Sequence, residues 1–149
     1  MSNMSKARIE ELKAIAEKHD GILRPEDVVK FAENPKTALH AAFDWDNTEA
    51  AHKWRIEQAR GIIRVCVEII TIKNKDMSVR VFIAPISDRK DDGEGGYKLM
   101  TDLLRNKSGR REILETALSE LETFRKKYNW LTELVRVFAA IEDTRKLLK

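Results

Sequence analysis

The order in which hydrophobic periods follow one another along the first 86 residues limits the fold more than any single residue does. From Ser5 to about Lys18, Ile9, Leu12, Ile15 and Ala16 recur at helical spacing, and His19-Asp20-Gly21 supplies a stop. Gly21-Ile22-Leu23-Arg24 is too short for another helix and reads as an extended connection. Pro25, followed by Glu26 and Asp27 at the positive helix end, opens a second helix that Asn34-Pro35 closes, with Val28, Val29, Phe31 and Ala32 as its core face. Leu39, Phe43 and Trp45 then turn inward around an irregular segment. Asp46 and Glu49 have the spacing of a capping box and predict a third helix from about Asn47 to Ile63. On that helix Ala50, Ala51, Trp54, Ile56, Ala59, Ile62 and Ile63 make one broad apolar arc, with Glu49, Lys53, Glu57, Arg60 and Arg64 as the opposite stripe.

After Arg64 the period changes to 2. Val65, Val67 and Ile69 alternate with Cys66, Glu68 and Ile70, and beyond Lys73-Asn74-Lys75-Asp76 the alternation resumes at Val79, Val81 and Ile83, which predicts a β-hairpin ending near Pro85. Three helices followed by a hairpin are the order of a winged helix-turn-helix. The fold class expected is therefore α+β, with a winged-helix-like head over residues 5–86, the third helix as recognition helix and the hairpin as wing. Residues 87–96, with Asp91-Asp92-Gly93-Glu94-Gly95-Gly96, have the makeup of a flexible linker and mark the domain boundary.

Residues 97–149 form the expected C-terminal module. Tyr97 to Arg105 reads as a short helix and Asn106 to Gly109 as a break. From Arg110 onward there is neither Gly nor Pro, and Leu114, Ala117, Leu121, Phe124, Tyr128, Leu131, Val135 and Phe138 alternate steps of three and four. A straight helix of about 40 residues would be ~60 Å long, too long to hide this stripe against a small head. The stripe is expected to meet another copy, so that Leu114, Leu121, Phe124, Tyr128, Leu131, Val135 and Phe138 make a homo-oligomer. The alternative is a break near Asn129 that folds the segment into an antiparallel helix pair.

Composition sets the function classes. At 149 residues, 42% apolar and 36% charged, the chain can bury a core and is too charged to lie in a bilayer; the first residues lack the apolar run of a signal peptide. It is expected to be soluble and cytoplasmic, without a membrane partner. The lone Cys66 cannot form an internal disulfide and reads as a small core residue. The net charge of +3 is spread thinly: residues 1–64 carry 11 basic against 11 acidic side chains, 65–109 carry 8 against 7, and 110–149 carry 9 against 7. No segment is a basic domain, so a nucleic-acid footprint has to come from local clustering.

Such clustering is present. Lys53, Arg60 and Arg64 recur on one helical face, and Lys73, Lys75 and Arg80 belong to the hairpin; together they are the candidate contacts to duplex DNA. Glu49 and Glu57 on the same stripe support the other reading, a solvated or protein-facing helix laced by i,i+4 ion pairs. Arg55 falls within the apolar arc, where it is expected to pair with a carboxylate such as Asp44 and organise the head. His19 is expected to serve the end of the first helix. Asp44-Trp45-Asp46-Asn47-Thr48 fits the DxDxT nucleophile pattern of haloacid dehalogenase-like phosphatases, but the strand that must precede that motif is missing, and a helix cap and turn is the preferred reading. His40, His52, Asp44 and Asp46 lack metal-site spacing, and Gly93, Gly95 and Gly96 lack that of a phosphate cradle. No nucleophile with a base is evident, so neither an enzyme, a metal nor a cofactor is expected.

Leu23-Arg24-Pro25-Glu26-Asp27-Val28-Val29, then Leu39-His40, Phe43 with Trp45-Asp46, Ala50-Ala51, Arg55, Gln58-Ala59-Arg60, Ile63-Arg64, Gly95-Gly96-Tyr97 and the Tyr128 to Ile141 segment resemble a group of small proteins encoded by tailed phages and prophages. The resemblance covers most of the chain and brings no activity and no site residues with it. It implies a phage or mobile-element origin and the bacterial cytoplasm as working compartment. The function expected is non-enzymatic, oligomeric binding of duplex DNA. The alternative is an interaction or self-assembly protein that meets a host or phage protein.

Overall fold

The computed structural model describes residues 5–46, 48–86 and 96–149. The chain is α+β and divides into two compact units, one built from the chain up to Ala84 together with the stretch ending at Thr101, the other from Pro85–Ser87 and Asp102–Lys149.

The first unit opens with α1, Lys6–Lys18, whose N-cap Ser5 accepts from the Arg8 N–H and which ends where the Gly21 N–H returns to the Ala16 carbonyl at 2.8 Å. His19 closes the helix as expected, with Nδ1 2.9 Å from the Ile15 carbonyl oxygen. Ile22–Leu23 form β1, and α2 runs Pro25–Ala32 with Pro25 in its first turn. A short 3-10 turn, His40–Ala42, precedes α3, Glu49–Val65. The capping residue of α3 is Thr48, not Asp46: the Thr48 hydroxyl accepts from the Ala51 N–H at 3.1 Å, so the helix starts and ends two residues later than the Asp46–Glu49 spacing predicts.

The hairpin expected after α3 is present as β2, Val67–Ile72, and β3, Lys75–Arg80, joined by the two residues Lys73 and Asn74. Both have positive φ, 49° and 61°, as a primed two-residue turn requires. This ribbon is a two-stranded sheet of its own. A second, three-stranded sheet has the order β1–β5–β4, with β4 at Phe82–Ile83 and β5 at Tyr97–Leu99. Tyr97 to Leu99 is thus a strand, and only Met100–Leu104 is helical (α4), in place of one helix from Tyr97 to Arg105. The boundary moves accordingly: β5 pairs Leu23 with Tyr97 and Phe82 with Leu99, which returns residues 97–99 to the first unit instead of the C-terminal module. A Cβ at Gly96 would stand 2.2 Å from Ile22 Cγ2, so this close strand approach needs glycine. The linker expected over 87–96 lies, apart from Gly96, outside the described residues.

One core serves α1, α2, α3 and the three-stranded sheet. Leu12, Ile15, Leu23, Val28, Leu39, Ala59, Ile63, Cys66, Val81, Phe82 and Tyr97 are buried in a single cluster. Polar ties fix the connection that leads into α3. The two Glu11 carboxylate oxygens accept from the Ala38 and Leu39 N–H groups at 2.7 and 2.9 Å, and Arg8 Nε donates to the Ala38 carbonyl.

In the second unit α5 spans Lys107–Tyr128 and α6 Val135–Arg145, with a 3-10 turn at Thr132–Leu134 between them. The continuous heptad helix is therefore replaced by the alternative, an antiparallel pair broken after Tyr128. Phe124 lies 4.9 Å from the Tyr128 ring and 6.5 Å from that of Phe138, while Glu122 accepts from both Arg125 and Arg145. The hydrogen bond to Glu142, aided by the charge of Glu122, raises the pKa of Arg125. Leu118 on α5 and Ile141 on α6 are buried, whereas Leu121, Phe124 and Val135 of the expected oligomer stripe remain exposed and Leu114, Tyr128, Leu131 and Phe138 are half-buried.

Candidate nucleic-acid interface

α3 is positioned by what it buries. Ala59 and Ile63 are fully enclosed, and Arg55 beside them is 9% exposed. The Arg55 guanidinium donates to the backbone carbonyls of Asp44 and Asp46 at 3.1 and 2.5 Å and lies 5.3 Å from the centre of the Trp45 ring. Trp45 in turn stacks on His40 at 4.8 Å and donates its indole N–H to the His40 carbonyl. Arg55 thus organises the head as expected, but the groups it holds are main-chain carbonyls rather than the Asp44 carboxylate. His40 Nδ1 sits 2.8 Å from the Ala32 carbonyl. His40, Asp44 and Asp46 belong to the scaffold of this turn, and among the described residues no three metal-ligating side chains gather.

A flank of α3, about 100° round from the line through Ala59 and Ile63, looks into solvent. Lys53 and Arg64 are exposed and make no ion pair among the described residues. Arg60 is instead held by Glu57 one turn before it, an i,i+3 pair in place of the i,i+4 pairs the sequence suggests. Over the eleven steps from residue 53 to residue 64, Lys53, Arg60 and Arg64 stay within about 40° of one another and span ~17 Å of helix. Trp54 departs from expectation: it is 58% exposed and does not join the core. The apolar arc drawn from residue type was too wide. At 100° per residue Trp54 falls about 160° from the line through Ala59 and Ile63.

The hairpin divides its three cations. In the β2–β3 register Arg80 faces Val67 at the base, while Lys75 faces Ile72 at the tip. These positions lie on opposite faces of the ribbon because the side-chain period is 2. Lys73 is in the turn, ~20 Å along six residues from the base. Arg80 and Arg64 therefore sit at the same end of the ribbon, and Lys73 and Lys75 do not join them. Glu68 anchors the base through Lys13 at 2.9 Å. Cys66, at the junction of α3 and β2, is fully buried, donates to the Ile62 carbonyl at 3.3 Å, and has a thiol pKa pushed up to about 11, first by burial and then by Glu68.

The outside of this unit carries large apolar side chains whose exposure the sequence does not mark. Ile69 is 74% exposed and Val67 54%, on the ribbon face that also carries Arg80. Their alternation with Glu68 and Ile70 was legible, but alternation names two faces without saying which is covered. No family model matches the chain, and comparison with curated proteins and with solved structures gives no match. No helix of the described residues is long and apolar enough to cross a membrane.

Proposed function

We propose that the first unit binds duplex DNA as a winged-helix-type head, with α3 as the helix that enters the groove. The observation that carries this reading is that α3 buries Arg55, Ala59 and Ile63 while leaving Lys53 and Arg64 outward and unpaired among the described residues. The strand order β1–β5–β4 supports it, because the short strand after α1 closes against a pair of strands that follow α3. In this reading β4 and β5 occupy the place of the wing strands, and the β2–β3 ribbon is an insertion between α3 and the sheet. Oligomerisation through Leu121, Phe124 and Val135, which the second unit leaves exposed, would raise the avidity of a weakly basic head. The bacterial cytoplasm is the compartment in which such a regulator or DNA-organising protein would act.

The test is fluorescence anisotropy of a labelled random duplex at about 50 and 200 mM salt. Phosphate contacts from Lys53, Arg64 and Arg80 give a slope near −2.7, so affinity is expected to fall about 40-fold across that range. Lys53→Ala with Arg64→Ala removes two contacts and should shrink the loss to about 4-fold; Glu57→Gln, which releases Arg60, should tighten binding. Binding that is absent at both salts, or indifferent to these substitutions, overturns the reading. The exposed Trp54, Val67 and Ile69 favour a second reading in which this surface meets protein, since tryptophan is a frequent anchor of protein contacts and uncovered apolar side chains mark interaction surfaces. Loss of DNA binding in the first test would make that reading the working one.

A further inference from the structure

The second unit holds a groove of about 680 Å³ that the DNA reading does not use. Its floor is apolar: Leu104, Ile113 and Leu114, with Leu147 and Leu148 from the C-terminal turn. Leu147 is 75% exposed, so folding alone leaves a large side chain of this floor in water.

The rim is positive. α5 begins Lys107-Ser108-Gly109-Arg110-Arg111 and has no acidic residue in its first turn. Cations at the positive end of a helix oppose its dipole, and acidic side chains are the residues that stabilise this position. Lys107 and Arg110 are exposed without an ion pair among the described residues; Arg111 is shared between Glu115 at 3.0 Å and the Leu148 carbonyl. None of the residues lining the groove is a carboxylate. An unfavourable charge pattern thus stands beside an uncovered apolar floor, and one ligand chemistry relieves both.

We propose that this groove docks an acidic amphipathic helix of a protein partner, its apolar side chains on Ile113, Leu114 and Leu147 and its carboxylates against Lys107 and Arg110. Ile113, Leu114 and Ala117 form a ridge at helical spacing along α5, which suits apolar anchors at i, i+3 or i+4, and i+7 of the incoming helix. Nucleic acid would satisfy the rim but leave the leucines in water. The charge complementarity and the apolar floor select a helix that carries both features.

The experiment uses the full chain and a fluorescein-labelled designed helix of about sixteen residues, with Leu at that spacing and Glu elsewhere, together with a counterpart in which every Glu is Lys. The acidic peptide is expected to bind at least about ten-fold tighter than its counterpart. Lys107→Glu with Arg110→Glu, both at exposed positions, should reverse the order, and Leu147→Asp should weaken the acidic peptide by a similar factor. Equal binding of the two peptides, no binding of the acidic one, or indifference to the charge reversal overturns the proposal. So does Lys107- and Arg110-dependent cosedimentation with phosphatidylglycerol vesicles when the peptide does not bind, which would assign the groove to a lipid surface. A dimer that Leu147→Asp dissolves and the acidic peptide does not displace would assign it to a second copy and likewise overturn it. A duplex added at saturating concentration should leave the peptide bound, so failure of the DNA reading and failure of this one are separable.

Discussion

Cys66 illustrates how a residue can be chemically silent and still set a pH response. Its folded thiol keeps the proton up to about 11, against an ordinary value of 9.0. Between those values unfolding releases a proton, so rising pH favours the unfolded chain: the contribution is fully present below about pH 9 and is lost as pH climbs through about 11. Urea denaturation across this interval should show stability falling, and Cys66→Ala, although less stable at neutral pH, should show a shallower fall. An identical pH slope in both proteins would dissociate the effect from this thiol. Cys66 was legible in the sequence as a core residue because it lies between two β-branched neighbours, and Arg55 was legible because it interrupts an apolar arc. Trp54 was not, since its size and apolarity argued for the core while its angle on the helix argued against it, and the angle prevails. Glu11 was equally hidden, because the N–H groups it holds lie 27 and 28 residues away in a turn with no periodicity of its own.

Helices with caps and prolines at their ends were legible in the sequence to within about two residues, and the β2–β3 ribbon was legible from its alternation. The small sheet was not. Ile22–Leu23, Phe82–Ile83 and Tyr97–Leu99 are two or three residues long, too short for a period, and become strands only through partners far away in the chain. The break near Asn129 was legible only as an alternative, because no glycine or proline marks it and the heptad stripe continues through Asn129 and Trp130 in the sequence while the chain turns back there. The start of α5 depends on a residue that looked like a mere helix breaker. A Cβ at Gly109 would stand 2.1 Å from the Leu103 carbonyl oxygen, so the end of α4 and the first turn of α5 touch only because that atom is absent. Gly109→Ala gains helix propensity but must push the two apart, and it is expected to destabilise the second unit by about 1–3 kcal/mol. A melting temperature equal to or above that of the parent would show that the corner yields freely.

For the molecule as a whole, two units with separate interiors imply separate unfolding. Leu118→Ala, at a position on α5 that is 3% exposed, should lower one calorimetric transition, and Ile63→Ala in the core of the first unit should lower the other. A single transition moved equally by both substitutions would mean that the units melt as one. The candidate interface follows the same division: its cations on α3 were visible as a stripe, whereas the separation of Arg80 from Lys75 needed the strand register. The ribbon has one more effect, on how much of this protein a solution can hold. β2 and β3 have no third strand beside them among the described residues, and Val67-Glu68-Ile69-Ile70-Thr71-Ile72 offers one charge, already engaged by Lys13. Such a segment is a template for edge-to-edge growth, so crowding of the free chain, rather than loss of its fold, is expected to limit the concentration it reaches in solution.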